Sequence, residues 1–346
     1  MNLLIITQRV DRQDPILGFF HRWIEEFALH CKQITVIGQA TGDYHFPPNV
    51  RILSLRKERG ASKMSQIIRF LSLLWKHRRA YDAVFVHMTP IWVVIGWPLF
   101  PLLRKPVYLW YEIRRGGWVL RCALRHVRRV FSATAYGLPF PSPKNVVTGH
   151  GIDTRTFSPG LPAERDPHLL VTVGRLTRIK RHELFLQLLA ALPPPYRLSI
   201  AGGVITAEDE RYRTELEAFI AAHNLQDRTT ITFLTHAELL PLLRRAGLYL
   251  HAGGGGLDKA LLEAMACGCP VVSASEASCP FLPEECRATH ENFGEKVRAM
   301  LDLLQGEKEA LGKVLRQEVL AHHNLVRLVG RLVEEMRDDQ RSTKHQ

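Results

Sequence analysis

The segment spanning residues 247–274 constrains the fold of this chain more than any other part of it. It contains an apolar, strand-like run at 247–252, four consecutive glycines, a helical pattern around Leu261 and a buried strand at 270–274. This order of elements is the repeating unit of a parallel α/β sheet. In doubly wound sheets, loop amides and helix N-termini at the carboxyl ends of the strands bind anions. The segment therefore predicts an α/β fold with a ligand site after the glycine loop.

The rest of the chain repeats this alternation. Because 346 residues exceed the roughly 250–300 that one hydrophobic core usually serves, we expect two lobes. A stretch at 154–166 that is rich in Pro, Gly and charge predicts the linker. We expect a first lobe at 1–160, a second at 161–322, and a closing helix at 323–346 that ends in a disordered tail from Asp338 onward. Apolar runs predict strands at 3–6, 34–38, 51–55, 83–87, 107–111, 130–133, 145–147, 169–173, 196–201, 230–233, 248–251 and 271–274.

Charge is distributed unevenly between the predicted lobes. Residues 1–165 contain 24 Lys and Arg against 10 Asp and Glu, whereas residues 166–346 contain 22 against 24. The basic first lobe predicts an anionic partner, which is either a nucleic acid or an anionic membrane surface. No recognised nucleic-acid-binding motif accompanies the charge. We therefore expect an anionic membrane surface and no nucleic acid as the partner of this lobe.

An uncharged stretch at 88–103 requires a separate interpretation. It is shorter than the roughly 20 residues that a membrane-spanning helix needs, and it contains three prolines. We expect a buried helix of the first lobe; the alternative is an element that rests on the membrane through Trp92, Trp97 and Phe100. Since no signal peptide is evident, we expect a cytoplasmic protein that docks peripherally on the inner face of the cell membrane.

Four of the six cysteines, Cys267, Cys269, Cys279 and Cys286, form the only cluster of cysteines in the sequence. A zinc site is one interpretation of this cluster, but the spacing lacks the paired C-x2-C units of structural zinc sites. The favoured interpretation is a set of reduced, buried thiols.

A second segment, at 171–181, carries the cations that an anion site needs. Its strand ends at Gly174 and is followed by Arg175 and Lys180. Cations placed opposite a glycine turn and a helix start favour phosphate binding over two solvated charges. Glu263, in the helix after the glycine loop, is either a ligand-binding carboxylate or an ordinary helix residue.

These motifs together resemble glycosyltransferase family 4, the retaining group 1 glycosyltransferases of the GT-B fold. The resemblance rests on VGRL followed by basic residues, on LEAMACGCPVV, and on GHGID with Phe157. It implies two Rossmann-like lobes that face each other across a cleft, with the C-terminal helix returning to the first lobe. It also implies transfer of a sugar from a nucleoside-diphosphate sugar to a glycan or lipid-linked acceptor, with retention of configuration and without a metal or other cofactor.

The resemblance further assigns residues to the donor. Arg175 and Lys180 would hold the diphosphate and act as catalytic cations, and Glu263 would accept hydrogen bonds from the ribose hydroxyls. The remaining donor-side positions are Gly174, Gly255, Gly256, Leu257, Asp258 and Lys259.

Two departures from the family pattern affect this assignment. The first Glu of the family's Glu-x7-Glu pair is replaced by Gly255, and Leu257 and Asp258 stand where many members have Phe and Gly. We expect Asp258 or Lys259 to compensate for the missing carboxylate, and we count Asp258 among the catalytic residues.

The acceptor side of the first lobe supplies three further candidates. They are Gly18 in the loop before the first helix, His87 at a strand end, and Glu112 after the strand at 107–111. The histidine that relatives often carry after that strand is absent. For each candidate an ordinary structural role is the alternative: a helix-start glycine, a core histidine, and an ion-pair partner of Arg114 or Arg115.

Other classes of protein remain as alternatives. A catalytically impaired GT-B protein would bind a sugar nucleotide without transferring the sugar, and a sugar-nucleotide epimerase shares the architecture. A glycogen-type phosphorylase would be far longer. A dinucleotide-dependent oxidoreductase is disfavoured, since Gly-x-Gly-x-x-Gly is missing after the first strand.

Overall fold

The computed structural model describes residues 1–14 and 16–344 and divides the chain into two units. The first unit combines Met1–Gly151 with the chain from Leu325 onward, and the second is Ile152–Asn324. Each unit is built on one parallel sheet. Because parallel sheets are covered by helices on both faces, their central strands are buried along most of their length.

The first unit contains a seven-stranded sheet in the order β3-β2-β1-β4-β5-β6-β7. All neighbouring strands pair in parallel. The strand order reverses between β1 and β4, which defines the switch point of a doubly wound sheet. The strands are β1 Asn2–Val10, β2 Gln33–Thr41, β3 Val50–Ser54, β4 Ala83–His87, β5 Val107–Trp110, β6 Arg129–Ser132 and β7 Asn145–Val147.

Two helical layers cover this sheet. One core cluster joins the sheet to α1 and α12, and the other joins it to α2, α3, α4 and α5. The helices are α1 Phe19–His30, α2 Lys63–Lys76, α3 Pro90–Gly96, α4 Leu99–Leu102, α5 Trp118–His126 and α12 Leu325–Lys344.

The uncharged stretch at 88–103 forms two short helices instead of the single helix expected from the sequence. The break falls at Trp97 and Pro98, between α3 and α4. A proline has no backbone N–H and its ring clashes with the carbonyl four residues earlier, so Pro98 disfavours a continuous helix at this point. Trp92 and Phe100 are buried, whereas Trp97 is 45% exposed. Two of the three aromatic side chains suggested for a membrane contact therefore belong to the core.

The second unit contains a five-stranded parallel sheet in the order β10-β9-β8-β11-β12. Its strand order reverses between β8 and β11. The strands are β8 Asp166–Val173, β9 Arg197–Ala201, β10 Thr229–Thr232, β11 Ala246–His251 and β12 Val271–Ser273. The helices are α6 His182–Ala191, α7 Ala207–Ala222, α8 His236–Arg245, α9 Lys259–Ala266, α10 Phe293–Asp302 and α11 Gln305–His322.

The ends of the second unit differ from the expected boundaries at 160 and 322. The structure assigns residues 152–160 to this unit, and Phe157 is fully buried in its core. The stretch at 154–166 is therefore partly packed structure. Helix α12 continues through Lys344, so residues 338–344 of the expected disordered tail are helical; the last two residues lie outside the described part. No helix within the described residues is long and apolar enough to cross a membrane.

Candidate functional site

The switch point of the second unit gathers most of the residues predicted to bind the donor. The loop after β8 contains Gly174, Arg175 and Lys180, and the loop after β11 contains the glycine run and Asp258. Both loops leave the carboxyl ends of adjacent parallel strands, where doubly wound sheets bind ligands. The backbone N–H of Gly254 donates to the carbonyl of Ile179 at 3.2 Å and ties the two loops together.

Two glycines are required for the close packing of these loops. Gly174 has φ +147°, and a Cβ on it would lie 2.9 Å from Cε of Lys180. A Cβ on Gly202 would lie only 1.9 Å from the carbonyl oxygen of Gly174. Larger residues would displace the Lys180 side chain or the backbone, so glycine at these positions keeps Lys180 against the end of β8.

Lys180, Asp258 and His251 form a compact charged cluster. Lys180 Nζ donates to Asp258 Oδ2, and His251 Nε2 lies 3.3 Å from the same oxygen. Asp258 also caps α9, because Oδ1 accepts from the Ala260 N–H at 3.1 Å. Burial alone would raise the pKa of Asp258, but Lys180 and His251 outweigh it and hold the pKa far below its usual value. Asp258 is therefore a carboxylate that already compensates the charge of Lys180.

A buried hydrogen-bond chain holds His251 in place. Its Nδ1 lies 2.7 Å from Ser273 Oγ, which lies 2.8 Å from Ser278 Oγ. His251, Ser273 and Ser278 are all buried. Since Nε2 faces the Asp258 carboxylate, the geometry favours a proton on Nε2.

Glu263 lies in a second charged cluster on α9. Its Oε1 accepts from Lys259 Nζ at 3.1 Å, one helical turn earlier, and lies 2.9 Å from His236 Nε2 at the start of α8. Glu263 is 3% exposed. Burial would raise its pKa, but Lys259 and His236 outweigh this effect and lower the pKa. The structure thus brings Lys259 to Glu263, whereas Lys180 is brought to Asp258.

Arg175 has a different partner. Its Nε lies 3.8 Å from Asp209 Oδ2, and its side chain is 48% exposed. Asp209 is the N3 residue of the capping box that begins α7 and also accepts from the N–H groups of Ile205 and Thr206. An exposed guanidinium at this distance from its partner is available to an anionic ligand.

The glycine loop leaves space where the family pattern has a carboxylate. Gly255 has φ +116°, a conformation that L side chains rarely adopt, and a Cβ there would meet nothing within 4 Å. Leu257 is buried in the core of the unit, while Gly256 is half-buried. Of the expected loop residues, Asp258 alone therefore supplies a carboxylate at this end of α9.

A cavity of about 400 Å³ opens beside the residue that follows Arg175. It is lined by Leu176, Gly202, Gly203, Ile231 and Phe233, among others. Glycine walls allow a flat ligand to approach the backbone, and apolar side chains suit an aromatic ring. The cavity is a candidate site for a nucleobase.

The acceptor-side candidates of the first unit make close contacts with neighbouring residues of that unit. A Cβ on Gly18 would lie 2.6 Å from the Asp14 carbonyl oxygen, so glycine is required by packing. His87 is 1% exposed, and its ring stacks on Phe20 with centroids 3.9 Å apart. The structure therefore agrees with the core interpretation of His87.

Glu112 binds a neighbouring loop. Its Oε2 accepts from the backbone N–H groups of Ala133 and Thr134 at 2.5 and 3.3 Å. Its Oε1 accepts from the Thr134 hydroxyl at 3.1 Å. The carboxylate thus positions the loop after β6, whereas the sequence suggested Arg114 or Arg115 as its partner.

The cysteine cluster consists of free thiols. Burial raises the pKa of both Cys267 and Cys286 to about 12, and that of Cys269 to about 11. Within residues 1–14 and 16–344, no group of three or more His, Cys, Asp or Glu side chains is arranged to hold a metal ion. Protonated thiols of this kind are unreactive.

Sequence reasoning missed the partners of the charged residues. His251 lies at the end of a predicted strand, directly before the glycine run. This position is the only feature of the sequence that indicates a role for His251 in the site. His236 and Asp209 are separated from Glu263 and Arg175 by 27 and 34 residues. Such pairs are formed by the topology of the sheet and leave no local pattern.

Comparison with known proteins relates the second unit to one family. Residues 153–282, which lie in the second unit, match the family model of glycosyl transferases group 1. Sequence comparison with curated proteins finds no match.

Solved structures match nearly the whole chain. HepE from Anabaena in complex with UDP has a TM-score of 0.78 at 16% identity, covering 98% of this chain and 100% of that one. Sucrose-phosphate synthase from Thermosynechococcus elongatus has a TM-score of 0.82 at 17% identity, covering 99% and 100%. The lipopolysaccharide outer core galactosyltransferase WaaB has a TM-score of 0.68 at 13% identity, covering 97% and 100%.

The two parallel-sheet units and the helical C-terminus define a protein of the GT-B fold class, as predicted from the sequence. More particularly, the segment of the second unit at 153–282 is similar to the group 1 glycosyl transferases.

Proposed function

We propose that this protein is a glycosyltransferase that moves a sugar from a nucleoside-diphosphate sugar to a glycan or lipid-linked acceptor with retention of configuration. The observation that carries the proposal is the meeting of Lys180, Asp258 and His251 at the switch point of a unit similar to the group 1 glycosyl transferases. HepE, a structural neighbour, has been solved with UDP and with UDP-glucose, which makes UDP-sugars the first donors to test.

The proposed mechanism follows from charge. Cleavage of the sugar–phosphate bond places negative charge on the leaving diphosphate and positive, oxocarbenium character on the sugar. Arg175, Lys180 and the amides of the glycine loop would stabilise the diphosphate, and each charge-assisted contact contributes about 1.5–3 kcal/mol. We propose that these cations serve without a bound metal.

Asp258 has a double role in this mechanism. It holds Lys180 in the resting protein, and a bound diphosphate would share the ammonium group with it. Next to the open space at Gly255, its carboxylate is the group available to stabilise the developing positive charge on the sugar. Glu263, held by Lys259 and His236, would accept the ribose hydroxyls, and the cavity at Leu176 would hold the base.

We further propose that the first unit binds the acceptor and docks on an anionic membrane. By the observed division the first unit contains 27 Lys and Arg against 12 Asp and Glu, and the second contains 19 against 22. Such an asymmetry would orient the molecule on a negative surface, and each cation near that surface adds about 1 kcal/mol until salt screens it.

Donor binding and hydrolysis test the catalytic proposal. Thermal shift with UDP, GDP and ADP and with their sugars identifies the donor, because a bound ligand raises stability by mass action. Hydrolysis of that donor without acceptor, unchanged by EDTA, is the expected result for a metal-independent transferase. Arg175→Ala should weaken donor binding by about ten- to a hundredfold. If Arg175→Ala binds like the parent, the phosphate assignment of Arg175 is wrong.

A second candidate function is supported by the same loop. Because Gly255 supplies no carboxylate and Asp258 is already paired with Lys180, the protein would bind a sugar nucleotide without transferring the sugar. Tight nucleotide binding with no turnover favours this candidate. Asp258→Asn separates the two: a transferase loses turnover while donor affinity changes little, whereas a binding protein has no turnover to lose.

A further inference from the structure

Helix α2 exposes an apolar stripe on its outer surface. Met64, Ile68 and Trp75 are 64%, 62% and 49% exposed, and the half-buried Leu71 lies between them. Spacings of four, three and four residues place these side chains on one side of the helix. Another side of α2, which includes Phe70, packs into the core of the first unit. The helix is therefore apolar on two sides, of which the fold buries one.

The charged side chains on either side of this stripe, within α2 and in the residues just after it, are all cationic. Lys63, Lys76, Arg78 and Arg79 flank it at the two ends of α2. The Arg78 guanidinium lies 4.6 Å from the centre of the Trp75 ring. Within the residues of α2, α3, α4 and α5 there is no Asp or Glu.

The helices beside α2 add further exposed apolar side chains. Helix α2 packs beside α3 and α4, and α3 packs beside α5. Each of these neighbours also exposes a large apolar side chain: Trp97 follows α3, Leu102 ends α4 and Trp118 begins α5. The layer of α1 and α12, on the other face of the sheet, differs because it contains six acidic residues: Glu25, Glu26, Glu334, Glu335, Asp338 and Asp339.

We propose that the α2 stripe inserts into the interfacial region of an anionic lipid bilayer and forms the apolar part of the membrane contact. The inference rests on the membrane docking proposed for the first unit and names its residues. The sequence suggested Trp92 and Phe100 as membrane contacts, but both are buried. The proposed contacts are instead Met64, Ile68 and Trp75.

The chemistry of the face matches such a surface. A helix that lies in the membrane interface buries its apolar side among the acyl chains while its cations contact anionic headgroups. Trp75, with an arginine on its ring, is suited to the headgroup boundary, where amphipathic aromatic rings are enriched. A bilayer with anionic lipids presents negative charge in every direction, so it complements α2, whose charged residues are all cationic, at any rotation of the protein.

Vesicle cosedimentation of the full chain tests the apolar contact. The probe is phosphatidylcholine vesicles with and without phosphatidylglycerol, at low salt. Met64→Ser and Ile68→Ser should each weaken binding to the anionic vesicles by about tenfold, because an exposed apolar side chain loses its burial in lipid. The matched control is Leu29→Ser, which removes an apolar side chain that is 70% exposed on α1. It should bind like the parent.

Charge reversal tests the electrostatic part. Lys63→Glu and Lys76→Glu should each weaken binding at least about fivefold, and high salt should reduce this difference. Arg331→Glu, an exposed position on α12, is the matched control and should have a smaller effect.

Tryptophan fluorescence locates the contact. Anionic vesicles should shift the emission of the parent to the blue, and Trp75→Phe should remove most of that shift while retaining binding. The inference is overturned if the serine variants bind like the parent, or if Trp75→Phe keeps the full shift. The serine variants should keep the parent's melting temperature and donor affinity. If the parent protein binds no nucleotide-sugar donor, the proposed function is refuted, but the result of the vesicle experiment remains valid.

Discussion

The two units use the same sheet architecture but place charge differently at their switch points. In the second unit, the loops after β8 and β11 bring Lys180, Asp258 and His251 into one cluster. In the first unit, the corresponding strand β4 ends in His87, a buried ring stacked on Phe20. The first unit has the larger excess of cations but spreads them over loops, strands and helices, and Arg9 in β1, which pairs with Asp11 and Asp14, is 44% exposed. The position of charge relative to the sheet, and not its amount, therefore distinguishes a candidate reaction site from a docking surface.

The largest effect that tests this contrast is expected from Lys180→Ala. The substitution leaves the Asp258 carboxylate without its main cation in a largely buried site, so the free energy of unfolding should fall by about 3–5 kcal/mol. Urea unfolding measures it. The double variant Lys180→Met/Asp258→Asn should recover much of this loss, because it removes both charges.

The matched control for this experiment is Arg178→Ala. Arg178 belongs to the same loop but pairs with Glu215 on the surface. It should leave stability unchanged. A loss at Lys180 no larger than that at Arg178 would mean that the pair of Lys180 with Asp258 contributes no more to stability than a surface ion pair.

Glu263→Gln sharpens the comparison at the second charged cluster. The amide retains one acceptor but loses the charge that Lys259 and His236 stabilise. We expect donor affinity to fall by about 1–3 kcal/mol, measured by calorimetric titration with the nucleoside diphosphate. An unchanged dissociation constant would assign Glu263 a purely structural role.

A pH effect is expected from His182, which lies at the start of α6 directly after the Lys180 loop. Burial, with a smaller contribution from Lys180, lowers the pKa of His182 to about 3. Neither ring nitrogen has a hydrogen-bond partner among the residues that the structure describes. Below pH about 6.5, His182 therefore binds a proton in the unfolded chain but stays neutral in the folded protein. The free energy of unfolding decreases as the pH falls towards 3.

The pH dependence of the free energy of unfolding should therefore differ between the parent protein and a variant that lacks His182. At pH 5 the charge on unfolded His182 should cost about 2 kcal/mol relative to pH 7.5. His182→Leu should remove that part of the pH dependence, as measured by urea unfolding at both pH values. Equal slopes for the parent and His182→Leu would show that His182 is protonated in the folded state.

The smallest effect is expected in the first unit, from Glu112→Gln. The amide keeps one acceptor for the loop after β6 but loses the charge, so stability should fall by about 1 kcal/mol. Donor affinity should not change. A change in donor affinity as large as that of Glu263→Gln would break the distinction between the two units.

The elements of both sheets were predictable because each strand has a local apolar signature. Ala83–His87 and Asn145–Val147 are observed at the predicted positions, and β1 extends the predicted run at both ends. Gly174, Arg175 and Lys180 were found as a group because a strand end and its loop are consecutive in sequence. Proline chemistry explains the one predicted helix that is split, at Pro98.

The pairing of charges was not predictable for a physical reason. Asp258 was expected to face the donor, and the structure adds that it is bound to Lys180, 78 residues earlier. His251 reaches Asp258 because β11 and the glycine loop fold back on each other, and Ser273 reaches His251 from a different strand. Contacts between strands depend on their order in the sheet, which periodicity does not encode.

The return of α12 to the first unit has a consequence for synthesis on the ribosome. Leu325, Leu328 and Val329 of α12 are buried in the core cluster that includes α1, so this face of the first unit lacks its cover until residue 325 has been made. At ordinary rates of translation, the intervening 152–324 take roughly ten to thirty-five seconds. The second unit is contiguous in sequence, so all of its residues have been synthesised before α12 is made. The part of the protein that begins first is therefore completed last, and its apolar face is open to chaperones or to aggregation during that interval.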